Sequence, residues 1–180
     1  MTRLFKLLIV ITAFLLGGCA PTVNRSATAD SVELRPATAP TQKVALLITG
    51  TPAVQRSPDW QTFRAEWRTA FETAASQADL SFAYVEAEPT DEAAGTTLVR
   101  ILVTDFRYLT TGARYGFGVL PGNAFIEADA GFIELPSRRS LGSRKYATTS
   151  SAWQHVLSAT TSKQAAALST EIVQDLKKKK

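Results

Sequence analysis

The chain has 180 residues, 45% of them hydrophobic, with one cysteine and one histidine. That length suits one domain with its own core, and a single cysteine excludes a disulfide framework. The formal net charge is +4 at pH 7, but this excess comes from the two ends, where Arg3, Lys6 and Lys177–Lys180 lie. The middle is near neutral or slightly acidic, so the charge gives no reason to expect nucleic-acid binding.

The amino terminus has the layout of a secretory signal peptide. Arg3 and Lys6 precede an apolar run from Leu7 to Leu16, and small residues follow it. This order of basic start, short apolar core and small residues is typical of a cleaved signal. The run is too short to cross a hydrocarbon core of roughly 30 Å as a helix. We therefore predict that residues 1–18 are a cleaved signal peptide and not a transmembrane anchor.

The end of this signal, Leu16-Gly17-Gly18-Cys19, resembles the lipobox of bacterial lipoproteins. The resemblance implies cleavage before Cys19 and a diacylglycerol on its thiol, which would hold the chain on a membrane because two acyl chains anchor stably. In such lipoproteins an Asp after the Cys favours the inner membrane. Ala20 stands there, which implies the outer membrane, with the chain facing the periplasm. The alternative is an ordinary secretion signal with a chance cysteine near the cut.

The rest of the chain divides into a linker and one domain. Residues 19–42 comprise the lipid-bearing Cys19 and a segment rich in Ala, Thr and Pro. Such a segment has too few large apolar residues to offset its ordering entropy, so we predict a flexible linker. Residues 43–180 are predicted to form a single periplasmic domain with a basic carboxyl-terminal tail. The tail is either a solvated terminus or a contact for anionic envelope surfaces.

Hydrophobic periodicity predicts the elements of this domain in the order β-α-β-β-β-β-α. A buried strand at 44–49 precedes a helix that Ser57 would cap and that carries an aromatic stripe. Strands follow at 80–87 and 97–110, the latter apolar on both faces and therefore central. A hairpin pairs 124–135 with 144–151, and a helix begins near Ser162. The predicted fold is α+β, a mainly antiparallel four- to five-stranded sheet with two helices on one face.

Residues suited to catalysis or to metal binding are few. His155, the one histidine, is a general-base candidate, but no nucleophile elbow accompanies it. Acidic residues cluster at Glu86, Glu88, Asp91 and Glu92 without the glycine and ligand spacing of a calcium loop. A solvated acidic loop explains them, and we expect neither a cofactor nor a metal and no enzymatic activity.

The glycine-rich segment 111–123 is the candidate contact surface. Tyr115, Phe117, Val119 and Leu120 lie between its glycines, and exposed together they would form an apolar patch for a protein partner. The segment lacks the Gly-Lys-Ser/Thr ending of a phosphate loop. The alternative is that these side chains fold back over the core.

From the central strand onward the chain resembles a family of small, functionally uncharacterised bacterial lipoproteins. The likeness rests on Leu98–Phe106, the glycine-rich turn, the hairpin from Ala124 to Tyr146 and the helix Gln164–Leu176, about half of the chain. It implies an α+β domain broadly like the amino-terminal domains of the Tol-system β-propeller protein and the curli-secretion lipoprotein. It transfers no catalytic residues.

These observations predict a non-enzymatic lipoprotein of the outer membrane that binds a protein partner in an envelope assembly or secretion system. The alternative is a lipid- or glycan-binding carrier with a pocket between sheet and helices. A hydrolase built around His155 is the third hypothesis.

Overall fold

A computed structural model gives the fold and describes residues 22–26, 33–90, 92–108, 124–149 and 160–177. Within these ranges the elements are, in chain order, β1 (Thr22–Ser26), β2 (Lys43–Gly50), α1 (Pro52–Gln55), α2 (Trp60–Gln77), β3 (Ser81–Tyr84), β4 (Thr96–Arg107), β5 (Phe125–Leu135), β6 (Arg139–Thr149) and α3 (Thr161–Lys177). Among the described residues, no helix is long and apolar enough to cross a membrane.

The strands form a six-stranded mixed sheet in the order β1-β6-β5-β4-β2-β3. β4, β5, β6 and β1 pair antiparallel in succession, whereas β2 is parallel to both of its neighbours, β3 and β4. The α+β class is confirmed. The finer prediction of a mainly antiparallel four- to five-stranded sheet with two helices is wrong, because the described residues hold six strands, two parallel pairings and a third, short helix.

The parallel pairings follow from two crossover connections. α2 carries the chain from the end of β2 back to the start of β3, and a parallel pair requires such a return. Residues 85–95 then carry it from β3 to β4, on the far side of β2. The first crossover was visible in the sequence as a helix. The second was not, because 85–95 has no periodic pattern.

The main core lies between the sheet and the two long helices. The aromatic stripe of α2 is almost wholly buried, with Phe63, Trp67 and Phe71 at 0% exposure. α3 presents Leu168 and Ile172 to the same core. The sheet contributes alternate residues of β2, β4 and β5, as period-two patterning requires. The central position predicted for the 97–110 strand is confirmed, since β4 lies inside the sheet and is buried over most of its amino-terminal half.

A smaller core lies on the opposite face of the sheet. Ala45, Leu47, Leu98 and Leu135 form it, and Val85 packs against it from the second crossover. Ion pairs hold this crossover down: Lys43 Nζ lies 2.8 Å from Glu92 Oε2, and Glu88 lies between Arg100 and Arg138 at 2.9 and 3.6 Å. The acidic segment that was predicted to be a solvated loop is therefore tied to the strands by ion pairs and lies over a second apolar cluster.

Two element boundaries differ from the sequence predictions for local reasons. Thr51 caps a short helix, α1, that begins at Pro52, so α2 starts at Trp60 and not directly after the predicted cap, Ser57. Gly50 permits this, because a Cβ there would lie 2.6 Å from Val54 Cγ1. β6 begins at Arg139 rather than Arg144, since the turn after Leu135 is only three residues long.

The structure also places part of the predicted flexible linker against the domain. β1 pairs with β6 at the edge of the sheet, and residues 33–42 run along the sheet and hydrogen bond to it. Low apolar content predicted a flexible chain, but backbone pairing and buried polar contacts supply what apolar burial does not. The division into signal peptide, linker and domain otherwise stays a prediction.

Candidate binding cavity beneath residues 33–41

Residues 33–41, called the strap from here on, cross the domain between the sheet and the end of α3. The backbone N–H of Arg35 donates to the Leu141 carbonyl at 2.7 Å. At the far end the Thr41 and Thr97 hydroxyls are hydrogen bonded at 2.8 Å. The N–H of Gln42 then donates to Gly95 O at 2.8 Å. The strap is thus held at both ends by bonds that do not depend on apolar burial.

Glu134 of β5 holds the middle of the strap. One of its carboxylate oxygens accepts from the Thr38 N–H at 2.5 Å and from the Ala39 N–H at 3.4 Å. The other accepts from the Thr38 hydroxyl at 3.0 Å and from Arg139 Nε at 2.8 Å. Arg139 Nη2 also donates to Pro36 O at 3.0 Å. A single buried carboxylate therefore accepts from four donors, three of them on the strap and one on Arg139.

These bonds determine the charge state of Glu134. Burial by itself raises the pKa of the carboxyl, but the hydrogen bonds from Arg139, Thr38 and Ala39 favour the carboxylate and hold the pKa below its usual value. The bonds between Glu134 and the strap, called the clamp from here on, are consequently strongest while Glu134 is ionised. It weakens when acid protonates this carboxylate.

A cavity of about 680 Å³ lies beneath the strap. The strap forms one wall, and the other walls come from β5, β6 and the last turn of α3. Outside the strap, the lining residues are Phe132, Leu141, Arg144, Asp175, Leu176 and Lys177. Pockets for small ligands span roughly 300–1,000 Å³ and are mostly apolar with a few polar groups. The cavity has that size and that composition.

A buried ionic cluster lies at one side of the cavity. The Asp175 side chain is fully buried and accepts from Arg144 Nη1 at 2.5 Å and from the Tyr146 hydroxyl at 2.6 Å. Arg144 keeps 27% of its side chain exposed. Because Asp175 is compensated by these donors, the cluster fixes the Arg144 guanidinium at the cavity wall.

A second polar pair lies at the opposite end of the sheet, before the 109–123 segment. The Tyr108 hydroxyl donates to Glu66 Oε1 at 2.6 Å, and Phe106 stacks on Phe63 with ring centroids 4.5 Å apart. Burial, together with the bond to Glu66, raises the pKa of Tyr108 to about 12. This pair fastens the end of β4 to α2 and leaves the phenol protonated at all physiological pH values.

The predicted site residues fall in other parts of the chain. Cys19, the contact residues Tyr115, Phe117, Val119 and Leu120, and His155 all lie outside the described residues, so their roles stay predictions. Within the described ranges, no group of three or more His, Cys, Asp or Glu side chains could hold a metal. Arg138 and Arg139 bind Glu88 and Glu134, and Asp129 lies 4.0 Å from Lys145.

Neither the strap nor the cavity was predicted from the sequence. One signal was available: Glu134 sits among apolar residues in the β5 pattern, and a buried acid requires partners. Arg139 is a partner that sequence proximity suggests. The backbone amides of Thr38 and Ala39 are not, because they carry no side-chain signature and lie far away along the chain.

Comparisons with known proteins agree with this α+β architecture. No family model and no curated protein matches the chain. Among solved structures, the PelC dodecamer from Paraburkholderia phytofirmans superposes with a TM-score of 0.54 at 17% identity, over 88% of this chain and 99% of that one. A single-substitution variant of the same PelC dodecamer gives 0.50 at 18% identity, over 88% and 98%. Protein XCC0632 from Xanthomonas campestris, of family model DUF330, gives 0.46 at 17% identity, over 86% and 91%. The chain shares the fold of PelC.

Proposed function

We propose that this chain is a lipoprotein of the bacterial outer membrane, anchored through Cys19, facing the periplasm, and acting by protein contact rather than by catalysis. The observation that carries the anchoring is Leu16-Gly17-Gly18-Cys19 directly after a ten-residue apolar run. Its place in an envelope assembly or secretion system is part of the same proposal.

The PelC structures support copies of the same chain as the first protein partner. Those proteins, which share the fold, are dodecamers. Among the described residues, the long helices cover one face of the sheet, and the crossover at 85–95 covers only part of the other. Leu102 is 38% exposed on that second face, beside exposed Arg100. We propose that this open sheet face contributes to contacts between copies.

Two experiments test the proposal. For anchoring, cells are labelled with radioactive palmitate, and the wild type is compared with Cys19→Ser. We expect label and membrane fractionation for the wild type only. Equal membrane fractionation of an unlabelled Cys19→Ser chain would contradict the anchor.

For self-association, light scattering coupled to size exclusion compares the wild type with Leu102→Glu, which places a charge on the open face. Gln174→Glu, on the exposed side of α3, is the matched control. We expect the wild type and the control to form oligomers and Leu102→Glu to form smaller species. A monomeric wild type, or a Leu102→Glu protein of unchanged size, would refute contacts through this face.

A further inference from the structure

We propose that the cavity beneath the strap binds a single-chain anionic amphiphile, such as a free fatty acid. The first support is the nature of its walls. Phe132 and Leu141 are buried at 1% and 5% exposure and face the cavity together with Leu176. The strap adds Leu34 and Ala37, which pack against the main core. These walls suit an alkyl chain, because burying it removes apolar surface from water on both sides.

The second support is the charge at the rim. The cationic side chains that line the cavity are Arg35, Arg144 and Lys177, and the anionic ones are Glu33 and Asp175. Asp175 is already compensated by Arg144 and Tyr146, and Glu33 also has a polar partner. Among the described residues, the exposed Arg35 guanidinium makes no hydrogen bond or ion pair. The rim therefore offers cationic donors in excess, which fit one carboxylate or phosphate.

The third support is that Asp175 fixes the Arg144 guanidinium but occupies only one of its nitrogens. Nη1 donates to Asp175, and within the described part of the chain the other nitrogens of its guanidinium have no partner. Guanidinium carries five N–H donors in a fixed fork. A carboxylate at the cavity rim would thus meet a donor whose orientation Asp175 already fixes, and Arg35 lines the same cavity. A neutral ligand of the same shape would leave these donors without an acceptor.

The inference stands independently of the proposed function, since it concerns a cavity within one copy of the chain. The probe is a dansyl-labelled undecanoic acid, whose fluorescence rises in an apolar site, titrated into the purified full chain. Its methyl ester, which lacks the charge, is the matched ligand. We expect the ester to bind about tenfold more weakly, the value of one charge-assisted hydrogen bond. Equal binding of acid and ester would overturn the anionic head group.

Two pairs of variants locate the site. Ala37→Trp fills the cavity, whereas Ala166→Trp places the same ring on the exposed side of α3. Arg35→Gln removes the free cation, and Arg56→Gln is its exposed control. We expect Ala37→Trp to abolish saturable binding, Arg35→Gln to weaken it roughly tenfold, and both controls to bind as the wild type does. If Ala37→Trp binds normally, the cavity is not the site. If it fails to fold, Arg35→Gln and the ester comparison decide.

The chain's own acyl groups are another source of the same chemistry. Lipidated wild type and Cys19→Ser are therefore titrated side by side. We expect both to bind the free acid. Binding by Cys19→Ser alone would mean that the anchor lipid fills the cavity, and would overturn a site for a free amphiphile.

Discussion

The helix-covered core and the strap are held in place by different forces. The core buries the aromatic stripe of α2 against α3 and the sheet, so apolar area provides its stability. The strap packs only Leu34 and Ala37 against that core and is held mainly by polar bonds, three of them to Glu134. Apolar burial is spread over many side chains, so one substitution removes only part of the stabilisation. The middle of the strap, by contrast, depends largely on one carboxylate.

The largest effect is expected at the centre of the helix-covered core. Trp67 is fully buried, with its ring centroid 5.4 Å from that of Phe63. We expect Trp67→Ala to lower the free energy of unfolding by about 3–5 kcal/mol, because the cavity it leaves adds to the lost apolar burial. Urea unfolding followed by circular dichroism measures this. Exposed Glu72→Ala on the same helix should change it by less than about 0.5 kcal/mol. Similar losses for both variants would contradict the packing described.

The second effect concerns the ionic cluster beside the cavity. Arg144→Met leaves the buried Asp175 carboxylate without its cation. We expect a loss of roughly 2–3 kcal/mol, below the 3–5 kcal/mol of fully buried pairs because Arg144 is partly exposed. Adding Asp175→Leu should recover much of the loss, since both charges are then gone. A double variant that is less stable than Arg144→Met would show that Asp175 does not depend on Arg144.

The third prediction tests the clamp through its pH dependence. The pKa of Glu134 is lowered by the fold, so its stabilising contribution is present above the unfolded pKa and is lost as pH falls through the folded one. We expect Glu134→Gln to be about 1–2 kcal/mol less stable than the wild type at neutral pH. The difference should shrink once the pH falls below the ordinary pKa of a glutamate. A difference that is independent of pH would mean that the charge of Glu134 is not what holds the strap.

The smallest effect at neutral pH is expected at Tyr108. Its pKa is raised from 10.0 to about 12, so the contribution of the protonated phenol is complete below 10 and is lost as pH rises toward 12. Tyr108→Phe should remove this alkaline loss of stability. An ultraviolet titration of phenolate should likewise lose a transition near 12. The loss of a transition near 10 instead would show that Glu66 does not hold this hydroxyl.

The helix-covered core could be predicted from the sequence, because the spacing of its apolar residues follows the helix and strand periods. The spacing of Trp60, Phe63, Trp67 and Phe71 predicts both α2 and its buried side, and each of these side chains is buried. The alternation from Ala124 to Phe132 predicts β5 in the same way, and its inward residues are buried. Such patterns report local geometry directly.

The mixed sheet and the strap could not be read from the sequence for a common reason. Each depends on pairings between distant segments whose residues lack a local pattern. The 85–95 crossover is fixed by Lys43, Arg100 and Arg138 acting on Glu92 and Glu88. The strap is fixed by backbone amides meeting Glu134. Charges and amides at these positions are equally compatible with a solvated loop, so composition alone does not reveal the pairing.

Hydrogen–deuterium exchange of the strap tests most directly whether residues 33–41 belong to the folded domain. The amides of Arg35, Thr38 and Ala39 donate to Leu141 and Glu134, so they should exchange much more slowly than in an unfolded peptide. In Glu134→Gln the protection of Thr38 and Ala39 should fall while the amides of β4 keep theirs. If these amides exchange at the unfolded-peptide rate in the wild-type protein, Glu134 does not hold the strap and the strap does not form a wall of the cavity.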